Sequence, residues 1–211
     1  MKIRYISLLS LCLLLAVGCN DEEKKTEKPT TVVSEPKENI NQFLLEEDGI
    51  KITLPDGFQR YSAVDFQTYL KENYKKEELN FESERFKQLR NMDGTLYIFV
   101  NLENHSVYTI NSTPPTDLDN IDAQDLLGMV QSKHAEVEKV TNRKYEKVTA
   151  KFSDLSSNKI FKAVYKVTGK DIKEPLYSHS YIISNAGKTL YINLYSPGEL
   201  DFDPYIEKMR F

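Results

Sequence analysis

Four predicted strands follow one another in the C-terminal half of the chain, and this run constrains the fold more than any other feature. The strands are rich in β-branched and aromatic side chains, are separated by short polar turns, and cover residues 145–152, 160–167, 176–183 and 190–195. Because short links join antiparallel neighbours, the run predicts a meander. A sheet of this kind needs cover on at least one face, so helices are expected to pack on it.

Helical patterns supply that cover. Apolar residues at helical spacing predict helices over residues 62–74 and 122–140. Asp203, as an N-cap, and Pro204, at the first helical position, predict the start of a C-terminal helix. Residues 76–90 fit a helix and a strand equally well.

Further strands are predicted N-terminal to the meander. Alternating apolar residues predict a strand over residues 49–54 and a hairpin made of residues 96–100 and 107–110. The predicted fold class is therefore α+β, with an antiparallel sheet of six to seven strands and helices packed on it. We place this fold in a single domain that covers residues 43–211.

The N-terminus has the pattern of a secretory signal peptide. Lys2 and Arg4 precede an almost wholly apolar stretch from Ile6 to Val17. These 12 residues are too few to cross a bilayer core, which needs about 20. The stretch is therefore predicted to be a targeting segment and not part of the fold.

The residues that end this stretch, Leu15-Ala-Val-Gly-Cys19, resemble the lipobox of bacterial lipoproteins. The resemblance implies cleavage after Gly18, so that residues 1–18 are the signal peptide, and attachment of lipid to Cys19. The alternative is an ordinary secretory signal that ends near an unrelated cysteine. Acyl chains on Cys19 would hold the protein to a membrane, so we expect it in the bacterial cell envelope.

A polar segment separates the predicted anchor from the domain. Residues 19–42 are rich in Lys, Glu, Thr, Asn and Pro, which predicts a disordered tether. The acidic run Asn20-Asp-Glu-Glu23 is similar to the export signal that sends lipoproteins of Bacteroidota to the cell surface. It is equally consistent with a solubilising start of the tether, so the outer membrane surface is one of two expectations for the location.

Charge and cysteine content exclude several kinds of site. The chain has 28 Lys and Arg against 32 Asp and Glu, with no basic cluster along the sequence, which argues against nucleic acid or anionic lipid as the main partner. Both cysteines, Cys12 and Cys19, lie at the N-terminus, so no disulfide or cysteine-based metal site is expected in the domain. The three histidines are far apart in sequence, and we expect no metal and no cofactor.

Two further groups of polar residues have a structural explanation as well as a functional one. His134 falls on the apolar side of the predicted helix 122–140, where a structural histidine is more common than a ligand. Four acids near the start of that helix could bind calcium, but the helix dipole also favours acids there. They are Asp117, Asp119, Asp122 and Asp125.

The last predicted hairpin has the pattern most suggestive of a binding site. A three-residue loop over residues 185–187 would pair Ser184 with Lys188. That register places six side chains on one sheet face: Tyr177, His179, Tyr181, Tyr191, Asn193 and Tyr195. Such a face could stack a sugar or another planar ligand, and the alternative is that a helix covers it.

Two segments resemble the PsbP family, whose fold is shared with Mog-type Ran-binding proteins and small bacterial envelope lipoproteins. One is Ile50-Lys-Ile-Thr-Leu-Pro-Asp-Gly-Phe58; the other comprises residues 184–194 with the ending Pro204-Tyr-Ile-Glu-Lys-Met-Arg-Phe211. The resemblance covers roughly residues 48–211 and implies an α/β/α sandwich. It also implies a largely non-enzymatic function, although a fold alone does not fix function.

These observations lead to one expected function and one alternative. We expect a non-catalytic accessory or binding protein that is held to a membrane through Cys19 and that binds a protein or small-molecule ligand which the sequence does not identify. The alternative is a carbohydrate-binding or hydrolytic surface protein that uses the six residues of the last hairpin. A contact between a histidine and an acid in a pocket would favour the alternative.

Overall fold

The computed structural model describes residues 40–211 except 75, 120–121, 156–157, 171 and 186. The predicted signal peptide, the lipidation site Cys19 and most of the predicted tether lie outside the described residues. From Ile40 onward the chain belongs to one compact unit. The first strand begins at Ile40, three residues before the start that we predicted for the domain.

Nine strands and four helices make up the described part of the chain. In order they are β1 (Ile40–Leu45), β2 (Ile50–Pro55), β3 (Phe58–Tyr61), α1 (Ala63–Asn73), α2 (Lys76–Arg90), β4 (Thr95–Asn101), β5 (Ser106–Thr113), α3 (Asp122–Val140), β6 (Lys144–Leu155), β7 (Asn158–Thr168), β8 (Leu176–Asn185), β9 (Thr189–Pro197) and α4 (Asp203–Glu207).

Seven of the strands form one antiparallel sheet in the order β3-β4-β5-β9-β8-β7-β6, and β1 and β2 form a separate two-stranded sheet. The sequence-based fold class, α+β with an antiparallel sheet of six to seven strands, is therefore confirmed. The predicted meander is also confirmed, since β6 to β9 are consecutive neighbours. Its last strand, β9, pairs with β5 and so joins the meander to the earlier hairpin.

One face of the large sheet is covered by the β1–β2 hairpin and α4, and we call it the hairpin face. Apolar side chains of β1 and β2 and of the C-terminal segment meet inward-facing residues of β4, β5, β8 and β9 in the largest core cluster. The last residues of the chain pair with β2, because the backbone N–H groups of Lys51 and Arg210 each donate a hydrogen bond to the other's carbonyl oxygen at 2.9 Å. The first and last parts of the domain are thus paired.

The other face is covered by α1, α2 and α3, and we call it the helix face. Phe66 of α1 and Phe86 of α2 pack on Ile98 and Val107 of β4 and β5. Leucines and a valine of α3 pack less deeply, since none of its residues is fully buried, on a second cluster that includes Phe161. Each layer of the sandwich therefore has its own core, which agrees with the expected α/β/α arrangement.

Local signals explain where the helices begin. Ser62 is the N-cap of α1, and its Oγ accepts a hydrogen bond from the backbone N–H of Asp65 at 3.1 Å. The ambiguous residues 76–90 form a helix, because Phe86 then faces β4 and β5. The N-cap of α4 is Phe202 and not Asp203 as predicted, because the side chain of Asp203 is engaged elsewhere.

The register predicted for the last hairpin is wrong by one residue. Asn185 and Lys188 exchange two backbone hydrogen bonds, Asn185 N–H to Lys188 O at 2.9 Å and Lys188 N–H to Asn185 O at 3.2 Å. Only two residues lie between them, so the loop is one residue shorter than predicted, and Ser184 pairs with Thr189. A shift by one residue moves a strand's side chains to the opposite face relative to its neighbour.

Candidate functional site

The corrected register divides the six predicted site residues into two groups of three. Tyr181 lies opposite Ile192, His179 opposite Leu194 and Tyr177 opposite Ser196, so this group belongs to the hairpin face. The other group is on the helix face and consists of Tyr191, Asn193 and Tyr195, opposite Ile182, Ser180 and Ser178. The six residues therefore do not form one stacking surface.

The hairpin-face group meets the start of α4. Asp203 Oδ1 accepts hydrogen bonds from Lys162 Nζ at 2.6 Å and from the Tyr181 hydroxyl at 2.9 Å. His179 lies on the same face of β8, is 2% exposed, and has no hydrogen-bond partner for either ring nitrogen within the described residues. The cluster thus fastens the C-terminal segment to the sheet.

The protonation states of this cluster suit a structural role. Burial lowers the pKa of His179 to about 4, with a further contribution from the positive charge of Lys162, so the ring is neutral at neutral pH. Burial and the carboxylate of Asp203 raise the pKa of Tyr181, so its hydroxyl stays protonated and donates a hydrogen bond to Asp203. Partial burial raises the pKa of Asp203, but the hydrogen bonds from Lys162 and Tyr181 outweigh it and lower that pKa overall.

The helix-face group lies on the part of the sheet between α2 and α3, and we call this area the polar strip. Thr109, Asn193 and Ser180 are direct cross-strand partners on β5, β9 and β8, and the Ser180 hydroxyl donates to Asn193 Oδ1 at 3.4 Å. Tyr191 and Tyr195 flank Asn193 on the same face of β9. Ser180, Tyr191, Asn193 and Tyr195 are half-buried, with Tyr191 packed against the cluster under α3 and Tyr195 against Arg85, so each of the four keeps some accessible surface.

A charged cluster borders the polar strip at Tyr195. The guanidinium of Arg85 in α2 lies 4.7 Å from the centre of the Tyr195 ring, and its Nε donates to Glu82 at 2.8 Å. Glu82 also contacts Arg143, which pairs with Glu78 at 2.8 Å. The cluster joins α2 to the segment after α3, and it holds these two elements together at the Tyr195 end of the polar strip.

His134 has the structural role that the sequence favoured. Its ring stacks on Tyr145 with the ring centres 4.0 Å apart, and it meets the edge of Tyr165 at 4.4 Å. Burial lowers its pKa to about 4. The acids before α3 act in capping: the N–H of Asp119 donates to Asp122 and the N–H of Asp122 to Asp119.

The described residues hold no group of three His, Cys, Asp or Glu side chains arranged for a metal ion. No helix in the described part of the chain is long and apolar enough to cross a membrane. Sequence reasoning placed Asp203 at a helix N-cap and not in contact with Lys162 and Tyr181. The residues that it missed are Glu82, Arg85, Arg143 and Lys162. Their only sequence signal was an arginine and a glutamate three apart within α2, which is common on solvated helices.

Comparison with known proteins identifies the fold. The solution structure of PsbP (CyanoP) from Synechocystis matches with a TM-score of 0.52 and 14% identity, over 81% of this chain and 91% of that one. This chain has a PsbP-like fold. The crystal structure of the Ran-binding protein Mog1p from Saccharomyces cerevisiae has a TM-score of 0.48 and 11% identity, over 82% of this chain and 95% of that one.

The family resemblance seen in the sequence is therefore confirmed at the level of the fold. No protein-family model and no curated protein sequence matches the chain. At 14% identity a structural likeness says nothing about ligand or activity.

Proposed function

We propose that the protein is a lipid-anchored accessory protein of the bacterial cell envelope that binds its ligand at the polar strip without transforming it. The observation that carries the binding function is that Asn193 and Ser180, which are half-buried cross-strand partners, lie beside Tyr191 and Tyr195 on the helix face. Amide and hydroxyl groups flanked by aromatic rings suit a polar ligand with a flat or apolar part.

The chemistry of the neighbouring groups supports binding over catalysis. The neutral His179 and the protonated Tyr181 lie on the opposite face from Asn193, so they cannot act on a ligand held at the strip. Arg85 and Glu82 form an ion pair and hydrogen bond with each other, so neither is a free acid or base beside the strip. The alternative, a hydrolytic or carbohydrate-binding protein, needed all six hairpin residues on one face, and the register separates them.

The anchor is supported by the lipobox-like residues that end at Cys19. Its test is the mass of the mature N-terminal peptide from cells that produce the full chain. We expect the peptide to begin at Cys19 and to carry diacylglyceryl, and we expect Cys19→Ser to abolish this form while Cys12→Ser leaves it unchanged. A mature protein that begins elsewhere, or that carries no lipid, would refute the anchor.

The binding function is tested by the shift in melting temperature that small polar molecules, glycans and short peptides produce. A ligand of the polar strip should bind Asn193→Ala roughly tenfold more weakly, because one or two hydrogen bonds are lost. Gln67→Ala on the exposed face of α1 is the matched control. Ligands that bind wild type and Asn193→Ala equally would place the site elsewhere, and turnover of a bound ligand would contradict the non-catalytic role.

A further inference from the structure

The pairing of β6 with β7 brings together six lysines from residues 144–166. β6 and β7 are neighbours at one end of the large sheet, and we call them the basic edge. They carry two acids, Glu146 and Asp154, against six lysines: Lys144, Lys147, Lys151, Lys159, Lys162 and Lys166. On these two strands this is an excess of four positive charges, and carboxylates from other elements offset three of them by contacting Lys144, Lys159 and Lys162.

Two of these lysines are available to a partner. Lys147 and Lys151 are exposed and form no ion pair within the described part of the chain, whereas Lys144, Lys159 and Lys162 each contact a carboxylate. Lys147 pairs with Tyr165 on the helix face, and Lys151 pairs with Lys162 on the hairpin face. The outer strand therefore presents ammonium groups on both of its sides.

Apolar side chains lie among these charges. Val148, at the bulge between Lys147 and Thr149, is 45% exposed, and Val140 at the end of α3 is 75% exposed. An apolar side chain bordered by lysines suits a bilayer interface, because lysine stems lie along apolar surface while the ammonium groups reach the headgroups. Lysines on an edge strand also discourage pairing with another strand, so an extended peptide is a poor occupant.

We propose that the basic edge is a docking surface for an anionic bilayer and that this contact orients the domain. The inference rests on the proposed lipid anchor, since a tether of about 20 residues spans only roughly 25 Å and keeps the domain close to the membrane. Each lysine near an anionic surface strengthens the contact by about fivefold. The domain then lies with the sheet edge on the headgroups and with the polar strip facing sideways.

The test uses the full chain, lipidated in cells and reconstituted in phosphatidylcholine vesicles with or without phosphatidylglycerol. An environment-sensitive fluorophore is attached through Val148→Cys or, as a control at the opposite sheet edge, through Gln59→Cys of β3. Since Cys12 and Cys19 are the only natural cysteines, the lipidated mature protein has a single free thiol. We expect a blue shift at position 148 with phosphatidylglycerol, reversed at about 1 M salt, and no shift at position 59.

Charge variants decide whether the lysines cause the contact. Lys147→Gln with Lys151→Gln should weaken it by roughly 30-fold, and Lys71→Gln with Lys87→Gln on α1 and α2 should leave it unchanged. Equal shifts at positions 148 and 59, or an unchanged double variant, would overturn the docking surface. A shift with soluble polyglutamate but none with vesicles would also overturn it and would favour an acidic polypeptide.

The mass of the reconstituted protein distinguishes a failure of the docking surface from a failure of the lipid anchor. If Cys19 carries lipid and position 148 gives no shift, the docking surface fails while the anchor stands. If Cys19 carries no lipid, the anchor fails, and the fluorophore at position 148 is read in a protein that also carries Cys12→Ser and Cys19→Ser and is added to the vesicles from solution. A shift under those conditions supports the basic edge by itself, and no shift overturns it.

Discussion

Asp203 Oδ1 lies 2.6 Å from Lys162 Nζ and 2.9 Å from the hydroxyl of Tyr181, so one carboxylate oxygen holds the C-terminal segment to two strands of the sheet. We expect Asp203→Asn to lower the free energy of unfolding by roughly 1–2 kcal/mol, because Asp203 is partly exposed and solvent weakens the ion pair. Urea denaturation measures the change. Asp117→Asn is the control, because Asp117 forms an equally short ion pair with Lys159 but its side chain is almost fully exposed. An equal loss of stability in both variants would contradict the structural role of Asp203.

Glu82 is the residue of α2 whose loss should cost most. Its side chain is 7% exposed and contacts both Arg85 and Arg143, so Glu82→Gln leaves two arginines without their shared counter-ion. We expect a loss of about 3–5 kcal/mol in the free energy of unfolding. Glu84→Gln, two residues along and 64% exposed, should cost under about 0.5 kcal/mol by the same measurement. Similar values for the two variants would show that the cluster is not a buried ion network.

Replacing either of two glycines by alanine should change the stability of the domain, in opposite directions at the two positions. Gly94 has a φ of +94°, and a Cβ there would lie 1.8 Å from the carbonyl oxygen of Ser112, so Gly94→Ala must displace β5. We expect a loss of more than about 2 kcal/mol. Gly128 is inside α3 with nothing near its Cβ position, and Gly128→Ala should stabilise the protein by up to about 1 kcal/mol. Thermal unfolding followed by circular dichroism distinguishes a rise in melting temperature from a fall.

Two histidines, the buried His179 and the half-buried His134, should make the domain less stable as the pH falls. His134 and His179 have folded-state pKa values of about 4, below the ordinary value of 6.5, because burial disfavours their charged forms. The unfolded chain therefore binds more protons between these values, and the free energy of unfolding should decrease as the pH falls from about 6.5 to about 4. Each histidine contributes up to about 1.4 kcal/mol per pH unit within that window.

Denaturant titrations across that range test the pH dependence. His134→Phe keeps a ring between Tyr145 and Tyr165 and should remove about half of the slope, and His179→Leu should remove the other half. His105→Asn is the control, because His105 is exposed. A slope that survives between pH 6.5 and pH 4 in the variant lacking both histidines would contradict this assignment, because the lowered pKa of a carboxylate such as Asp203 affects stability only at lower pH.

Hydrophobic periodicity predicted most elements correctly because burial in this fold follows strict patterns. The helix predicted over residues 122–140 matches α3, and the meander was visible because polar turns separate its strands. β3 was missed since it has only four residues and one buried side chain. Residues 76–90 could not be assigned, because Leu79 and Phe81 alternate while Phe86 and Leu89 are at helical spacing.

The candidate site was predicted less well, because a hairpin loop shifted by one residue redistributes every side chain. Both registers give alternating faces, and only the bonds between Asn185 and Lys188 decide between them. The sequence did not distinguish them, because the predicted register pairs Ile182 with Leu190 and the observed one pairs Ile183 with Leu190, which are equally apolar pairs. The contacts of Lys162, Arg143 and Glu82 join residues 41 to 65 positions apart, and no local pattern encodes them.

The pairing of Arg210 with Lys51 also has a consequence for biosynthesis. A ribosome releases the chain from its N-terminal end, so β2 is available long before the residue that hydrogen-bonds to it. The hydrogen bonds that hold the β1–β2 hairpin at Lys51 cannot form until Arg210 has left the exit tunnel. The hairpin is therefore expected to reach its final pairing only after residues 40–210 have all been synthesised.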